Sequence, residues 1–423
     1  MISAVDDNCR AVSRRREPVK AAPAFRPARG TRILVVAFQG GKQADGGMES
    51  LTQLLERYQG LAVTVLTQAD TPKTARWRRA GWKVLVWSLG YQPGGRPARH
   101  MLGGLTRVWQ HLLWNMRTAW LALSERIEVA HVNDPHVLWH VIAGLRLLGI
   151  PTIYNIRDTK PGFSSRDILK WRFAFRLTQS QIVLSREMRE FWQRALAVRG
   201  RGLRAIYSVV DFQRMHPVPE AERQELRDLL GLPGGFVAGY VASFSEKKAQ
   251  LRFIEEAGRR LKHRTPSVHV YFLGDFDPQK DAYAAACERS SRELGLEAGF
   301  KFKGYADRME RWYPALDAVI VATQNEGLAR CMIESLACGT PVVSFDVCSA
   351  REILEEQGCG LVVPRGDYAG LVAALASLAE NAGARARFSR RGAIVARNKF
   401  DGTRNVAGYA AVYEMLAARG EVR

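Results

Sequence analysis

The chain has 423 residues, of which 47 % are hydrophobic and 25 % charged, a make-up that excludes a disordered or fibrous protein and is long enough for two domains. It holds no run of about eighteen apolar residues, its first thirty positions lack the apolar stretch of a secretory signal, and its six cysteines lack paired C-x-x-C spacing, so a reduced, cytoplasmic setting without membrane spans is expected. The formal charge of +20 is concentrated: residues 1–210 carry 33 basic and 14 acidic side chains, so the first half is expected to meet an anionic partner such as phospholipid, a lipid-linked diphosphate or nucleic acid.

Residues 1–30 hold Arg14, Arg15, Arg16, Lys20, Arg26 and Arg29 among prolines and alanines without periodicity, and read as a flexible basic tail. Order is expected from Arg32, where Ile33 to Ala37 is a short apolar run of the buried parallel-strand type, followed by the glycine-rich Gln39 to Gly47. Similar runs recur at Val63 to Leu66, Val84 to Trp87, Val129 to Val132 and Thr152 to Tyr154, separated by helix-length segments, which is how βα units build a parallel sheet. Between them, Thr106 to Leu123 interleaves Trp109, Trp114 and Trp120 with Arg107 and Arg117. That pattern suits a bilayer interface and equally an ordinary core helix.

Phe212 to Pro233, with Pro217, Pro219 and a charged stretch, interrupts the apolar pattern and reads as the seam between two doubly wound α/β domains, residues 31–212 and 213–400. The second repeats the scheme at Val237 to Val241, Val268 to Leu273, Ala318 to Val321 and Val342 to Ser344. A closing helix within residues 401–423 is expected to pack back on the first domain.

The most specific segment runs from Asn325 to Val343. Glu326 falls in the loop after an apolar strand, where doubly wound sheets bind ligands, and a helix is expected to begin near Leu328 and to end at Gly339 and Pro341. Glu334 lies eight residues on, about two turns away, with a phosphate-favouring helix start between the two carboxylates. A nucleotide sugar offers hydroxyls, a diphosphate and a ribose diol in that order, and the spacing fits such a ligand.

Here the sequence resembles the large family 4 of retaining glycosyltransferases, with the GT-B fold of two facing Rossmann-like domains and a cleft between them. The family carries E-G-[FL]-G, a second Glu in an E-x7-E frame, then A-x-G-x-P-V-V. The resemblance implies that Glu326 faces the donor sugar, that backbone amides around Gly327, Leu328 and Ala329 hold the diphosphate, and that Glu334 takes the ribose hydroxyls; Ala329 replaces the usual glycine. Other segments match in order from about Arg32 to Tyr413. Gly46-Gly47-Met48-Glu49 resembles the G-G-x-E loop at the donor phosphate or acceptor, though a plain tight turn explains it as well. Val241 to Lys248 resembles V-G-R-x4-K, with Lys248 in the lysine position and Ser243 where arginine is common. Lys247 and Arg330 are the cations available to compensate, and each also reads as a solvated surface charge.

Tyr305, at the strand end Phe302-Lys303-Gly304-Tyr305, stacks on a base or packs its loop. Ala130 to His136 resembles the H-x-H-[DE]-P segment facing the cleft; Asn133 stands where a histidine often contacts the sugar, leaving His131, Asp134 and His136 as replacements, of which His131 reads better as a core histidine. Tyr154 to Asp158 lines the acceptor side.

The resemblance implies transfer with retention and no dedicated metal; no cofactor is expected, and the expected substrates are a UDP- or GDP-hexose as donor and a lipid-linked or cell-envelope glycan as acceptor. The charge and tryptophans of the first domain place the expected setting at the inner face of the cytoplasmic membrane, on an anionic surface, with no nucleic acid partner, since no zinc finger, RRM or KH signature is present. Two other classes remain open: a sugar-nucleotide epimerase of the same overall fold, and a degenerate transferase kept as a binding or scaffolding subunit.

Overall fold

The computed structural model describes residues 30–38, 46–58, 60–88, 101–133, 135–159, 164–197, 202–262, 268–347 and 349–420. The expected tail up to Ala28 and Arg29, the loop from Gln39 to Asp45, and Asp134 lie outside the described residues, as does the side chain of His136.

Thirteen strands among the described residues form two parallel sheets. In the first, β1 (Arg32–Val36), β2 (Ala62–Thr67), β3 (Lys83–Val86), β4 (Val129–Val132), β5 (Thr152–Ile156), β6 (Ser180–Val183) and β7 (Leu203–Ala205) take the order β3-β2-β1-β4-β5-β6-β7. In the second, β8 (Phe236–Val241), β9 (Val268–Leu273), β10 (Phe300–Gly304), β11 (Ala318–Val321), β12 (Val342–Phe345) and β13 (Gly360–Val363) take the order β10-β9-β8-β11-β12-β13. Both are doubly wound sheets in which the chain reverses direction beside the first strand, between β1 and β4 and between β8 and β11. The crevice at such a reversal, outside the carboxyl ends of the strands, is where open α/β sheets bind ligands.

Helices join and flank the strands. The first half carries α1 (Gly46–Glu56), α2 (Pro72–Arg79), α3 (Met101–Ser124), α4 (Pro135–Leu147), α5 (Ser165–Leu177) and α6 (Arg186–Leu196). The second carries α7 (Glu220–Leu229), a helix over 250–261 with a π-turn inside it (α8), α9 (Ala282–Glu293), α10 (Met309–Ala315), α11 (Arg330–Ala337), a π-turn at Arg351–Glu355, α12 (Tyr368–Glu380) and α13 (Ala382–Phe400). The charged α7 is fixed to the second sheet through Asp317, whose carboxylate accepts from Arg223 at 2.7 Å, Arg227 at 3.1 Å and the Val237 amide at 2.8 Å.

The last helix, α14 (Gly402–Gly420), returns to the first sheet. Its Val406, Tyr409, Tyr413 and Leu416 join one apolar cluster with Ile33, Val35, Val63 and Val65. His131 on β4 is fully buried, and its Nδ1 lies 2.6 Å from the Tyr413 hydroxyl. The tryptophans of α3 divide between two environments: Trp114 and Leu121 join the core over α4, whereas Trp109 and Trp120 are 70 % and 68 % exposed.

Candidate functional site

The carboxyl ends at the two chain reversals open on one cavity of about 1020 Å³. From the first sheet it receives Phe38, the start of α1 at Gly46 and Gly47, and Asn133. From the second come Ala242 and Ser243 after β8 and the segment from Asn325 to Glu334 after β11. Two glycines let backbones meet here. A Cβ on Gly327 would lie 2.2 Å from the Arg157 carbonyl oxygen of the opposite half, and one on Gly274 would lie 1.9 Å from the Ala242 carbonyl oxygen.

Glu326 pairs with Lys248, the last residue of a 3-10 turn, Glu246–Lys248, that follows β8. That turn is held from below: the Tyr240 hydroxyl donates to the Lys248 carbonyl, and Thr323 Oγ1 and the Gln324 amide donate to the Lys247 carbonyl at 3.0 and 2.9 Å. Burial is the largest influence on the Glu326 carboxyl and pushes its pKa up, but the charges of Lys248, Lys247 and Arg157 together outweigh it and hold it below the usual carboxylate range. Lys248 mirrors this: burial disfavours its charge, Glu326 more than restores it, and its pKa is raised. At neutral pH the site therefore presents an ionised carboxylate beside an ammonium.

Glu334, about two turns along, is buried. Its Oε1 lies 2.7 Å from Arg330 Nε, and its Oε2 accepts from the Tyr313 hydroxyl at 3.1 Å. The helix between the carboxylates begins at Arg330, two residues later than the sequence suggests. Ala329 is its N-cap and offers no side-chain hydrogen bond, which leaves the first-turn amides open to a ligand oxygen.

The structure thus brings Gly46, Gly47, Asn133, Ser243, Lys248, Tyr305, Glu326, Leu328, Ala329 and Glu334 to one cavity, with Gly327 between Glu326 and Leu328 in the same turn. Asn133 is fully buried; its Oδ1 accepts from Asn155 Nδ2 at 3.1 Å, and its Nδ2 has no hydrogen-bond partner among the described residues. Tyr305 is half-exposed at the end of β10. Ser243 presents no charge, and its carbonyl accepts from Gln250 at 2.9 Å.

The contacts that join the two halves of the chain at the cavity are supplied by the fold alone. Lys247 pairs with Asp158, and Asn325 Nδ2 donates to the Thr159 carbonyl. Burial raises the Asp158 pKa, Lys247 opposes that, and the nearby Glu326 charge adds to it. Ser349 Oγ lies 2.6 Å from the Gly327 carbonyl, fixing the turn after Glu326. Arg330 Nη1 donates to Ser50 Oγ on α1 at 2.9 Å; the available signal was its position four residues before Glu334.

Two family models match the chain: "Glycosyltransferase Family 4" over residues 47–214 and "Glycosyl transferases group 1" over residues 235–381. The 2-deoxystreptamine N-acetyl-D-glucosaminyltransferase of Streptomyces fradiae is 27 % identical over 365 residues, 80 % of this chain and 84 % of that one. The lipopolysaccharide core biosynthesis glycosyltransferase LpsE of Rhizobium meliloti is 28 % identical over 33 % of this chain and 41 % of its own length. Among solved structures, Anabaena HepE in complex with UDP-glucose superposes with a TM-score of 0.75 at 20 % identity, covering 91 % of this chain and 99 % of that one, which establishes likeness of fold.

Proposed function

This chain belongs to family 4 of the glycosyltransferases, and on that premise we propose that it moves a hexose, with retention and without a dedicated metal, from a nucleotide sugar to a lipid-linked or cell-envelope glycan at the cytoplasmic membrane face. The observation that carries the donor half is the Glu326 and Lys248 pair at the mouth of α11, with Glu334 about two turns beyond. A UDP- or GDP-hexose laid along this line sets sugar hydroxyls at Glu326 and Asn133, the diphosphate at Lys248 and the amides of Gly327, Leu328 and Ala329, and the ribose at Glu334. Tyr305 lies beside the base, and Gly46 and Gly47 approach the phosphate from the other half. Stabilisation of the leaving diphosphate by an ammonium and a helix N-terminus supplies the charge neutralisation that a divalent ion provides elsewhere.

The acceptor half rests on the first domain. Trp109, Leu112, Met116, Trp120 and Leu123 form one exposed apolar stripe along α3 with Arg117 beside it, a combination that favours an anionic bilayer surface. Among the described residues no helix is long and apolar enough to cross a membrane, so the proposed contact is peripheral. The relationship to LpsE supports an envelope glycan as acceptor.

A panel of nucleotide sugars screened for thermal stabilisation tests the donor reading, since a ligand that binds the native state raises the midpoint with concentration. Stabilisation by one nucleotide class is expected; no shift with any nucleotide sugar at millimolar concentration contradicts it. For the acceptor side, cosedimentation with anionic and neutral vesicles at low and high salt is expected to be strongest with anionic vesicles at low salt, and equal partitioning in all four conditions contradicts it.

A further inference from the structure

The N-termini of α1 and α11 open on the same cavity, and a positive side chain stands where they meet: a Cβ added to Gly46 would lie 3.3 Å from the Arg330 Cβ. A guanidinium against two positive dipole ends is unfavourable by itself. Glu334, 2.7 Å from Nε, offsets it, and Ser50 occupies Nη1. Nε, although ion-paired with Glu334, and Nη2 are buried donors without a hydrogen-bond partner among the described residues, on a side chain only 11 % exposed. An unsatisfied buried donor of a charged group is costly, and on a residue that lines a cavity a turn of the side chain towards an acceptor there relieves it.

The two lysines of the turn after β8 are committed and the end of β8 carries no cation, while Lys73, Arg76, Arg157, Lys170 and Arg214 also line the cavity. Lys248 is paired with Glu326, Lys247 with Asp158 across the cleft, and Ser243 at the end of β8 is neutral. A departing nucleoside diphosphate carries more negative charge than Lys248 alone offsets.

We propose that Arg330 is the second cation of the donor site: its Nη2 takes an oxygen of the nucleotide sugar's diphosphate, and Glu334 exchanges its Arg330 contact for the ribose hydroxyls when the nucleotide enters. The inference rests on the donor reading above. When the bond from the anomeric carbon to the diphosphate oxygen breaks, the electron pair stays on that oxygen, and Lys248 and Arg330 meet the charge from the two sides of the α11 start. The sugar passes to the acceptor hydroxyl, whose proton leaves with the diphosphate or to solvent.

Calorimetric titration of the full chain with UDP, GDP, uridine and guanosine tests this. Arg330→Gln is expected to weaken the diphosphate that the parent binds by about tenfold to hundredfold while leaving the matching nucleoside within about twofold. Arg330→Lys keeps the charge beside Glu334, and with it the fold, and is expected to lose about threefold to tenfold on the diphosphate because a point charge does not reproduce the guanidinium fork. Adding Ser243→Arg to Arg330→Gln is expected to restore at least half of the lost decades. Unchanged diphosphate binding in either single variant, or an equal loss for nucleoside and diphosphate, overturns the inference while the donor reading stands. Failure of the parent to bind UDP or GDP overturns both.

Discussion

Thr159 Oγ1 donates to Asn325 Oδ1 at 2.8 Å, and Asn325 Nδ2 returns a bond to the Thr159 carbonyl, so a residue from each sheet closes a ring across the cleft. The Lys247 and Asp158 pair ties the same first-sheet loop to the 3-10 turn after β8. Glu326 and Lys248 therefore sit in a site assembled by closure of the two halves, and closure that completes a site also commits its substrate. Thr159→Val, which keeps the shape and removes the hydroxyl, is expected to lower kcat/KM by about threefold to tenfold with little change in Tm. Steady-state kinetics beside a thermal melt checks it.

Gly327 offers a steric test of the same closure. Its missing Cβ leaves room for the Arg157 carbonyl oxygen, so Gly327→Ala is expected to reduce kcat/KM at least about tenfold, because the backbone after Glu326 must shift. Gly234→Ala, where an added Cβ meets nothing within 4 Å, is the silent control. Equal activity in the two variants would show that the halves do not approach this closely during turnover.

The Lys248 and Glu326 pair should be visible in stability as well as rate. Both side chains are mostly buried, with 24 % and 17 % exposure, so Lys248→Met strands a carboxylate and is expected to cost about 2 kcal/mol. The double variant Lys248→Met/Glu326→Gln should recover part of that loss. In the parent the Glu326 pKa is depressed, so the pair's contribution is full above the ordinary carboxyl value of 4.5 and is lost as pH falls below it. Denaturant titration at neutral pH and near pH 4 separates the contributions.

His131 gives a second pH signature. Burial, then the Arg157 charge, depresses its pKa from 6.5 to about 3. A folded-state pKa below the unfolded value means that its contribution is full above pH 6.5 and is lost on acidification from 6.5 towards 3, at about 1.4 kcal/mol per pH unit. His131→Gln is expected to flatten that part of the profile. It is also expected to loosen α14 through the lost contact with Tyr413, which hydrogen exchange over residues 402–420 would register.

The architecture was legible wherever a strand is a continuous apolar run: β1, β2, β4, β5, β8, β9, β11 and β12 stand out because both of their faces are covered by helices. The strands β6, β7 and β13 did not. Ser180-Gln181 opens β6 with polar residues that are buried yet satisfied, Gln181 Nε2 donating to Thr178 and Phe175, and β7 is only Leu203-Arg204-Ala205. Within the cavity, Glu326, Lys248 and Glu334 were readable because their spacing is local to one strand-loop-helix turn or matches a family pattern. Thr159 was not, and neither was the partner of Asp158, since the residues they bond lie 166 and 89 positions away and only the folded cleft joins them. Arg330 illustrates the middle case, a cation visible in the sequence whose burial and direction only the fold supplies.

The proposed action of Glu326 and Lys248 on a nucleotide sugar is tested by the rate of nucleoside diphosphate release from whichever nucleotide sugar stabilises the parent, measured for the parent, Glu326→Gln and Lys248→Ala with folded protein confirmed by melt. Each variant is expected to fall by at least about a hundredfold while the nucleoside still binds; release at the parental rate in either variant overturns the proposed role of the pair.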